Sequence, residues 1–216
     1  MNKMNKMNKT DKKAVGRPID DEKTQKVFEA IDNILANDGI SKLSIERIAK
    51  TAEISKATLY RRFRNLKGVL NTYVETFTSD ALAPLLQDIK ENVKDPVDLE
   101  RLLIKLGTNL MQLITQPRVI AFDNAMLSAG VEYSEFKQDL FKKGPQNAVR
   151  QIGNVLEQAG IVSGFFDSYR LGDILFHIWR SGVYDNARVS GQIAMNSKQL
   201  DQHITLGTQF FLTKLI

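Results

Sequence analysis

The chain has 216 residues, 43% of them hydrophobic and 25% charged, the balance of a soluble globular protein long enough to bury an apolar core. It contains no cysteine, which excludes disulfides and thiolate metal sites. The polar N-terminus lacks a secretory pattern and no apolar run is long enough to span a bilayer, so a cytoplasmic location without membrane contact is expected.

The net charge of +5 is spread unevenly. Residues 1–18 carry +5 (Lys3, Lys6, Lys9, Lys12, Lys13 and Arg17 against Asp11), residues 19–68 carry +2, and the rest carries −2. A basic excess at one end points to a polyanion partner there, or to a solvated tail that only aids solubility. Three copies of Met-Asn-Lys fill the first nine residues. They offer no core-forming pattern, so 1–18 reads as a disordered basic arm ending at Gly16-Arg17-Pro18.

From Asp20 to Asn37, Val27, Ala30, Ile31, Ile34 and Leu35 recur at helical spacing. Asp20, Asp21 and Glu22 complement the dipole in the first turn, and Gly39 marks the stop. Ser44 can cap a short second helix with Ile45, Ile48 and Ala49 inside. After a break at Ala52-Glu53-Ile54, Ser55 can cap a third helix running to Phe63. A fourth begins near Asn65 and turns Leu66, Val69, Leu70, Tyr73, Val74 and Phe77 inward.

Further on, Pro84, Pro96, Pro117 and Pro145 mark starts or kinks. The pattern predicts helices over about 85–93, 97–115, 117–130, 133–143, 145–159, 167–188 and 196–215. Two-residue alternation is not sustained anywhere. The expected class is all-α.

Two short helices joined by a tight turn, the second one basic, describe a helix-turn-helix. Ile45, Ile48, Ala49, Ile54, Leu59 and Phe63 form its inner face, and small Ala49 and Ala52 let the helices cross closely. Lys56, Thr58, Tyr60, Arg61 and Arg62 remain as donors suited to phosphates and base edges. A basic amphipathic helix pair of any soluble domain is the plainer alternative. The spacing, the two caps and the adjacent basic arm together favour DNA.

The run Gly16-Arg17-Pro18, then Ser44-x-x-x-Ile48-Ala49, then Ile54-Ser55-Lys56-Ala57-Thr58-Leu59-Tyr60-Arg61-x-Phe63, resembles the DNA-binding domain of the TetR/AcrR family over residues 16 to 75. The resemblance implies that Lys56, Ala57, Thr58 and Tyr60 face the major groove, and that Ser44, Tyr60 and Arg62 touch phosphate. Arg17, Ser55, Arg61 and Lys67 complete the expected DNA contacts. The chain departs from the family pattern twice. Glu53 stands in the turn where the family usually has glycine, so it must tolerate a left-handed backbone. Leu66 stands where the family often has lysine, with Arg64 and Lys67 beside it.

The resemblance further implies about nine helices in all, three of them in the DNA-binding domain. The domains are then an arm at 1–18, a helix-turn-helix domain at 19–68, and a ligand-binding and dimerisation domain at 69–216. The expected partners are a pseudo-palindromic double-stranded operator, a second copy of the chain and a small apolar effector. Candidate effector contacts are Phe77, Met111, Phe122, Met126, Phe176 and His177, although any one apolar residue at helical spacing is more often core. Asn109, Asn124, His177 and Arg180 are polar residues inside apolar stretches. The last two long helices, carrying Phe176 to Trp179 and Ile204, Leu206, Phe210, Phe211 and Leu215, are the expected dimer surface.

An enzyme is not expected, nor is a cofactor. The two histidines, His177 and His203, lack metal-ligand spacing. No phosphate loop, dinucleotide fingerprint or nucleophile elbow occurs. The expected function is therefore a regulator, a repressor released from DNA by its effector. A helix-turn-helix protein without small-molecule control, architectural or partner-regulated, is the alternative.

Overall fold

The computed structural model describes residues 21–76, 96–161, 163–191 and 195–213. The basic arm with Arg17, the predicted helix over 85–93, Phe77 and Leu215 lie outside the described residues. Among the described residues all regular structure is helical. The helices are α1 (Asp21–Asn37), α2 (Ile45–Thr51), α3 (Lys56–Phe63), α4 (described over 66–76), α5 (Pro96–Ile114), α6 (Pro117–Ser128), α7 (Ser134–Lys143), α8 (Pro145–Gln158), α9 (Ser168–Arg180), α10 (Tyr184–Ser190) and α11 (Ser197–Thr213).

The described residues thus form eleven helical segments. The break after α7 comes at Gly144-Pro145, where the proline ring suits a new first turn. The single helix predicted over 167–188 divides because Gly182 takes φ 68° between Arg180 and Tyr184, a left-handed conformation that ends helical hydrogen bonding.

Among the described residues two large buried clusters, and a small third one of Ile120, Tyr184 and Ala187, organise the fold. The first joins Val27, Ile31 and Ile34 of α1, Ile45 and Ile48 of α2, Leu59 and Phe63 of α3, and Val69, Leu70 and Tyr73 of α4. It continues into Phe122, Ala125 and Met126 of α6 and Phe136 of α7. The buried interior thus runs across residues 68 and 69 without a seam. Tyr73 is fully buried. Its ring lies 5.4 Å from Phe28, edge to face, and 5.6 Å from Phe122, and its hydroxyl donates to Asp32. Burial first, and then that hydrogen bond, pushes the phenol well above its usual range, so it stays a neutral donor.

The second cluster packs α5, α8, α9 and α11 around Trp179. The indole N–H donates to Thr208 Oγ1 at 2.9 Å, and that hydroxyl donates to the Ile204 carbonyl at 2.8 Å. His203 Nε2 meets the Trp179 carbonyl at 3.1 Å. Every polar atom this indole buries therefore has a partner.

Helices α8 and α9 approach at backbone distance through two glycines. A Cβ on Gly153 would lie 2.3 Å from the Ser168 carbonyl oxygen, and one on Gly172 would lie 2.4 Å from that of Val149. Neither obstacle is a flexible side chain, so alanine there must push the helices apart. Gly153→Ala and Gly172→Ala should each destabilise the protein by about 1–3 kcal/mol, the usual cost of overpacking. Gly164→Ala, with nothing within 4 Å of its Cβ, should change stability by less than about 0.5 kcal/mol. Urea unfolding of the three variants checks this.

Candidate nucleic-acid interface

The helix-turn-helix is assembled from local signals. Ser44 Oγ accepts the Arg47 amide at 3.1 Å and opens α2, and Ser55 Oγ accepts the Thr58 amide at 3.2 Å and opens α3. Each cap satisfies one of the amides that a helix start leaves open. Between them, the Ile54 amide bonds back to the Ala49 carbonyl at 3.0 Å and the Glu53 amide to that of Lys50 at 3.3 Å. This is the pairing of a Schellman stop, whose left-handed position normally takes glycine. Glu53 occupies it with φ 55°, as the departure from the family pattern predicts.

Helix α3 buries Leu59 and Phe63 and presents Lys56, Ala57, Tyr60 and Arg61 outward. Tyr60 is 48% exposed, so its ring and hydroxyl are open to solvent on that face. Thr58 is half-buried and its hydroxyl shares a 2.9 Å hydrogen bond with that of Ser55. Lys56 Nζ lies 3.3 Å from Glu46 on α2. Its own backbone N–H first, and then the Lys56 ammonium, hold the Glu46 carboxyl below its usual range. The sequence reading missed Glu46. Its signal was a lone carboxylate in the first turn of α2, opposite a lysine in the first turn of α3.

Two expected phosphate contacts are differently engaged. Arg62 turns from the exposed face toward α1, where Nη2 donates to Thr24 Oγ1 at 2.9 Å, and its guanidinium lies 6.0 Å from the Phe63 ring. A half-buried arginine in that position braces α3 against α1. Lys67 lies in the first turn of α4 and forms a 2.7 Å ion pair with Asp139 of α7. The corner between α3 and α4 is tight. Asn65 Oδ1 accepts the Gly68 amide at 2.8 Å, and a Cβ at Gly68 would lie 1.9 Å from the Phe63 carbonyl oxygen. Ser44, Ser55, Lys56, Ala57, Thr58, Tyr60 and Arg61 are thus gathered on α2 and α3, with Lys67 at their edge.

The expected effector contacts are not gathered in this way. Phe122 and Met126 pack in the first cluster, while Met111 and Phe176 pack in the second. His177 is exposed, its Nδ1 2.9 Å from the Asp173 carbonyl oxygen and 3.3 Å from the Asp173 carboxylate. Apolar spacing alone does not tell which of two cores a helix face enters. A cleft of about 270 Å³ lies elsewhere, between α1 and the end of α2, lined by Lys26, Glu29, Asn33 and Glu53 among others. Among the described residues no group of three or more His, Asp or Glu side chains is placed to hold a metal ion, and no helix is long and apolar enough to cross a membrane.

Residues 27–71 match the family described as bacterial regulatory proteins, tetR family. An uncharacterized HTH-type transcriptional regulator of Haemophilus influenzae is 30% identical over 67 residues, 31% of this chain. That match spans only 36% of the relative's length. YvkB of Bacillus subtilis, also described as an uncharacterized HTH-type transcriptional regulator, is 25% identical over 166 residues, covering 69% of this chain and 84% of YvkB. Among solved structures, a TetR-family regulator from Mesorhizobium loti superposes with a TM-score of 0.70 at 17% identity, covering 90% of this chain and 96% of that one. The flavonoid-responsive regulator FrrA gives 0.64 at 20% identity, covering 90% and 97%.

The left-handed turn yields a direct test. A side chain at φ 55° costs about 1–2 kcal/mol relative to glycine, offset in part by the freedom glycine gains when unfolded. Glu53→Gly should therefore leave the protein as stable or raise its stability by up to about 1 kcal/mol, read by urea unfolding. A loss of that size would mean the Glu53 side chain contributes something the geometry does not reveal. Residues 27–71 thus match the tetR family of bacterial regulatory proteins, and the chain shares the fold of solved TetR-family regulators.

Proposed function

We propose that the protein is a dimeric transcription regulator that reads a pseudo-palindromic DNA operator through α3 and releases it when a small apolar effector occupies the larger domain. The observation that carries this reading is the outward face of α3, with Lys56, Ala57, Tyr60 and Arg61 on a helix capped by Ser55 and packed beside α2, which Ser44 caps. Repression is the proposed mode, and the regulator acts in the cytoplasm without catalysing a reaction.

A dimer follows from scale. One short helix reads only a few base pairs, so specificity needs two half-sites spaced by about one helical turn. On α11, Ile204 and Phe211 are buried while Leu206 and Phe210 are 57% and 61% exposed. Adjacent Phe210 and Phe211 thus point in different directions, one into the subunit and one out of it. The outer pair, one turn apart, is the surface proposed for a second copy.

An apolar effector is supported by likeness, since FrrA is described as flavonoid-responsive and SmeT was solved with triclosan. Met111, Phe176, Phe122 and Met126 would act by repacking rather than as the walls of an open site. Linkage requires that such a ligand prefer a dimer geometry that DNA does not.

Selection of bound DNA from a random pool tests this function. It should return two inverted half-sites, and sedimentation should give a dimer at micromolar concentration. A single asymmetric site bound by a monomer would contradict the reading. On the selected operator, Tyr60→Ala should weaken binding to all sequences alike, because phosphate contacts position without specifying. Lys56→Ala should instead change the order of preference at one base pair per half-site, worth about 1–3 kcal/mol of discrimination. Titration of single-base operator variants separates these outcomes.

A further inference from the structure

The corner between α3 and α4 carries three exposed cations, Arg61, Arg64 and Lys67. Among the described residues neither Arg61 nor Arg64 pairs with a carboxylate. Lys67 does, and its partner belongs to an element far along the chain. The ammonium is 2.7 Å from Asp139 Oδ2 on α7.

Asp139 is held in place by the packing of its helix. Phe136 is buried in the first cluster and Leu140 packs against it. Lys137 Nζ donates to the Ala129 carbonyl at 2.6 Å, and Lys143 pairs with Glu75 of α4 at 3.0 Å. Helix α7 therefore lies along α4 with a carboxylate fixed beside the α3–α4 corner. We propose that Asp139 is an electrostatic latch on Lys67, occupying a cation of the DNA-facing corner that an operator phosphate must win before the protein is fully seated. This inference rests on the reading of the protein as a DNA-binding regulator.

Competition is the physical basis. A phosphate at Lys67 and a carboxylate 2.7 Å from the same ammonium repel each other, so the two anions cannot both be served at full strength. Lys67 chiefly, with Lys142 and Lys143 adding to it, holds the Asp139 carboxyl below its usual range, and Asp139 holds the ammonium above its own. Both groups thus remain charged through neutral pH, and the latch is present wherever the protein works. Coupling is reciprocal. A ligand that draws α7 away from α4 strengthens DNA binding through this contact, and one that presses α7 onto α4 weakens it.

The test is a double-mutant cycle on operator affinity at low salt, using the full chain and the selected DNA. Asp139→Asn should tighten binding about two- to five-fold, the range set by an exposed ion pair. Lys67→Gln should weaken binding and flatten the slope of log affinity against log salt by about 0.9, one phosphate contact. In the Lys67→Gln background, Asp139→Asn should have no effect. An equal gain in both backgrounds would mark a general loss of negative charge and overturn the latch, as would no gain in the wild-type background. Sequence-specific binding by none of the proteins would overturn the DNA-binding reading itself, and the latch with it.

Discussion

Tyr73 stands where three parts of the chain meet. Its ring sits between Phe28 of α1 and Phe122 of α6, and its hydroxyl reaches Asp32. A reading head made of α1, α2 and α3 is too small to close an apolar core of its own. Here α4 supplies Val69, Leu70 and Tyr73, and α6 supplies Phe122, Ala125 and Met126. The head therefore shares its interior with the larger domain. Close packing makes such an interior resist continuous deformation. A displacement of α6 or α4 must be accommodated by α1, on which α2 and α3 rest.

The rest of the larger domain is built to be stiff. Trp179 is fully buried with its one polar atom bonded, and α8 meets α9 through Gly153 and Gly172 at a distance no side chain permits. Motion in this body is then carried by whole helices. The described contacts through which it reaches the head are the packing of Leu113 of α5, of α6 and of α7 into the first cluster, and the Lys67–Asp139 pair at the start of α4. Such contacts suit the proposed function, in which binding at one end must be felt at the other.

Much of the reading head was legible in the sequence because its determinants are local. Ser44 and Ser55 cap the helices that follow them, and the left-handed conformation of Glu53 follows from where glycine stands in similar proteins. The alternation of buried and exposed residues on α3 needs only a helical period. What was not legible depends on pairs distant in sequence. Arg62 has the composition of a phosphate contact but finds Thr24, 38 residues earlier. Phe122 and Met126 have the spacing of residues around a ligand, and pack in the cluster that α1 to α4 share with α6 and α7. Helical spacing ran past the break at Ser181 to Val183, since Gly182 is tolerated inside a helix as well as at its end. Asp139 is one of several charges on a polar helix, and only the approach of α7 to α4 distinguishes it.

The central claim is that the DNA-reading head has no interior independent of α6. Native-state hydrogen exchange on Phe122→Ala tests it most directly. Removing a buried phenylalanine costs about 3–5 kcal/mol, and the question is where that loss appears. If the interior is shared, amides of α1 to α3 lose protection together with those of α6. If the head is self-sufficient, α1 to α3 exchange as in the unsubstituted protein while α6 alone opens, and that result would contradict the account.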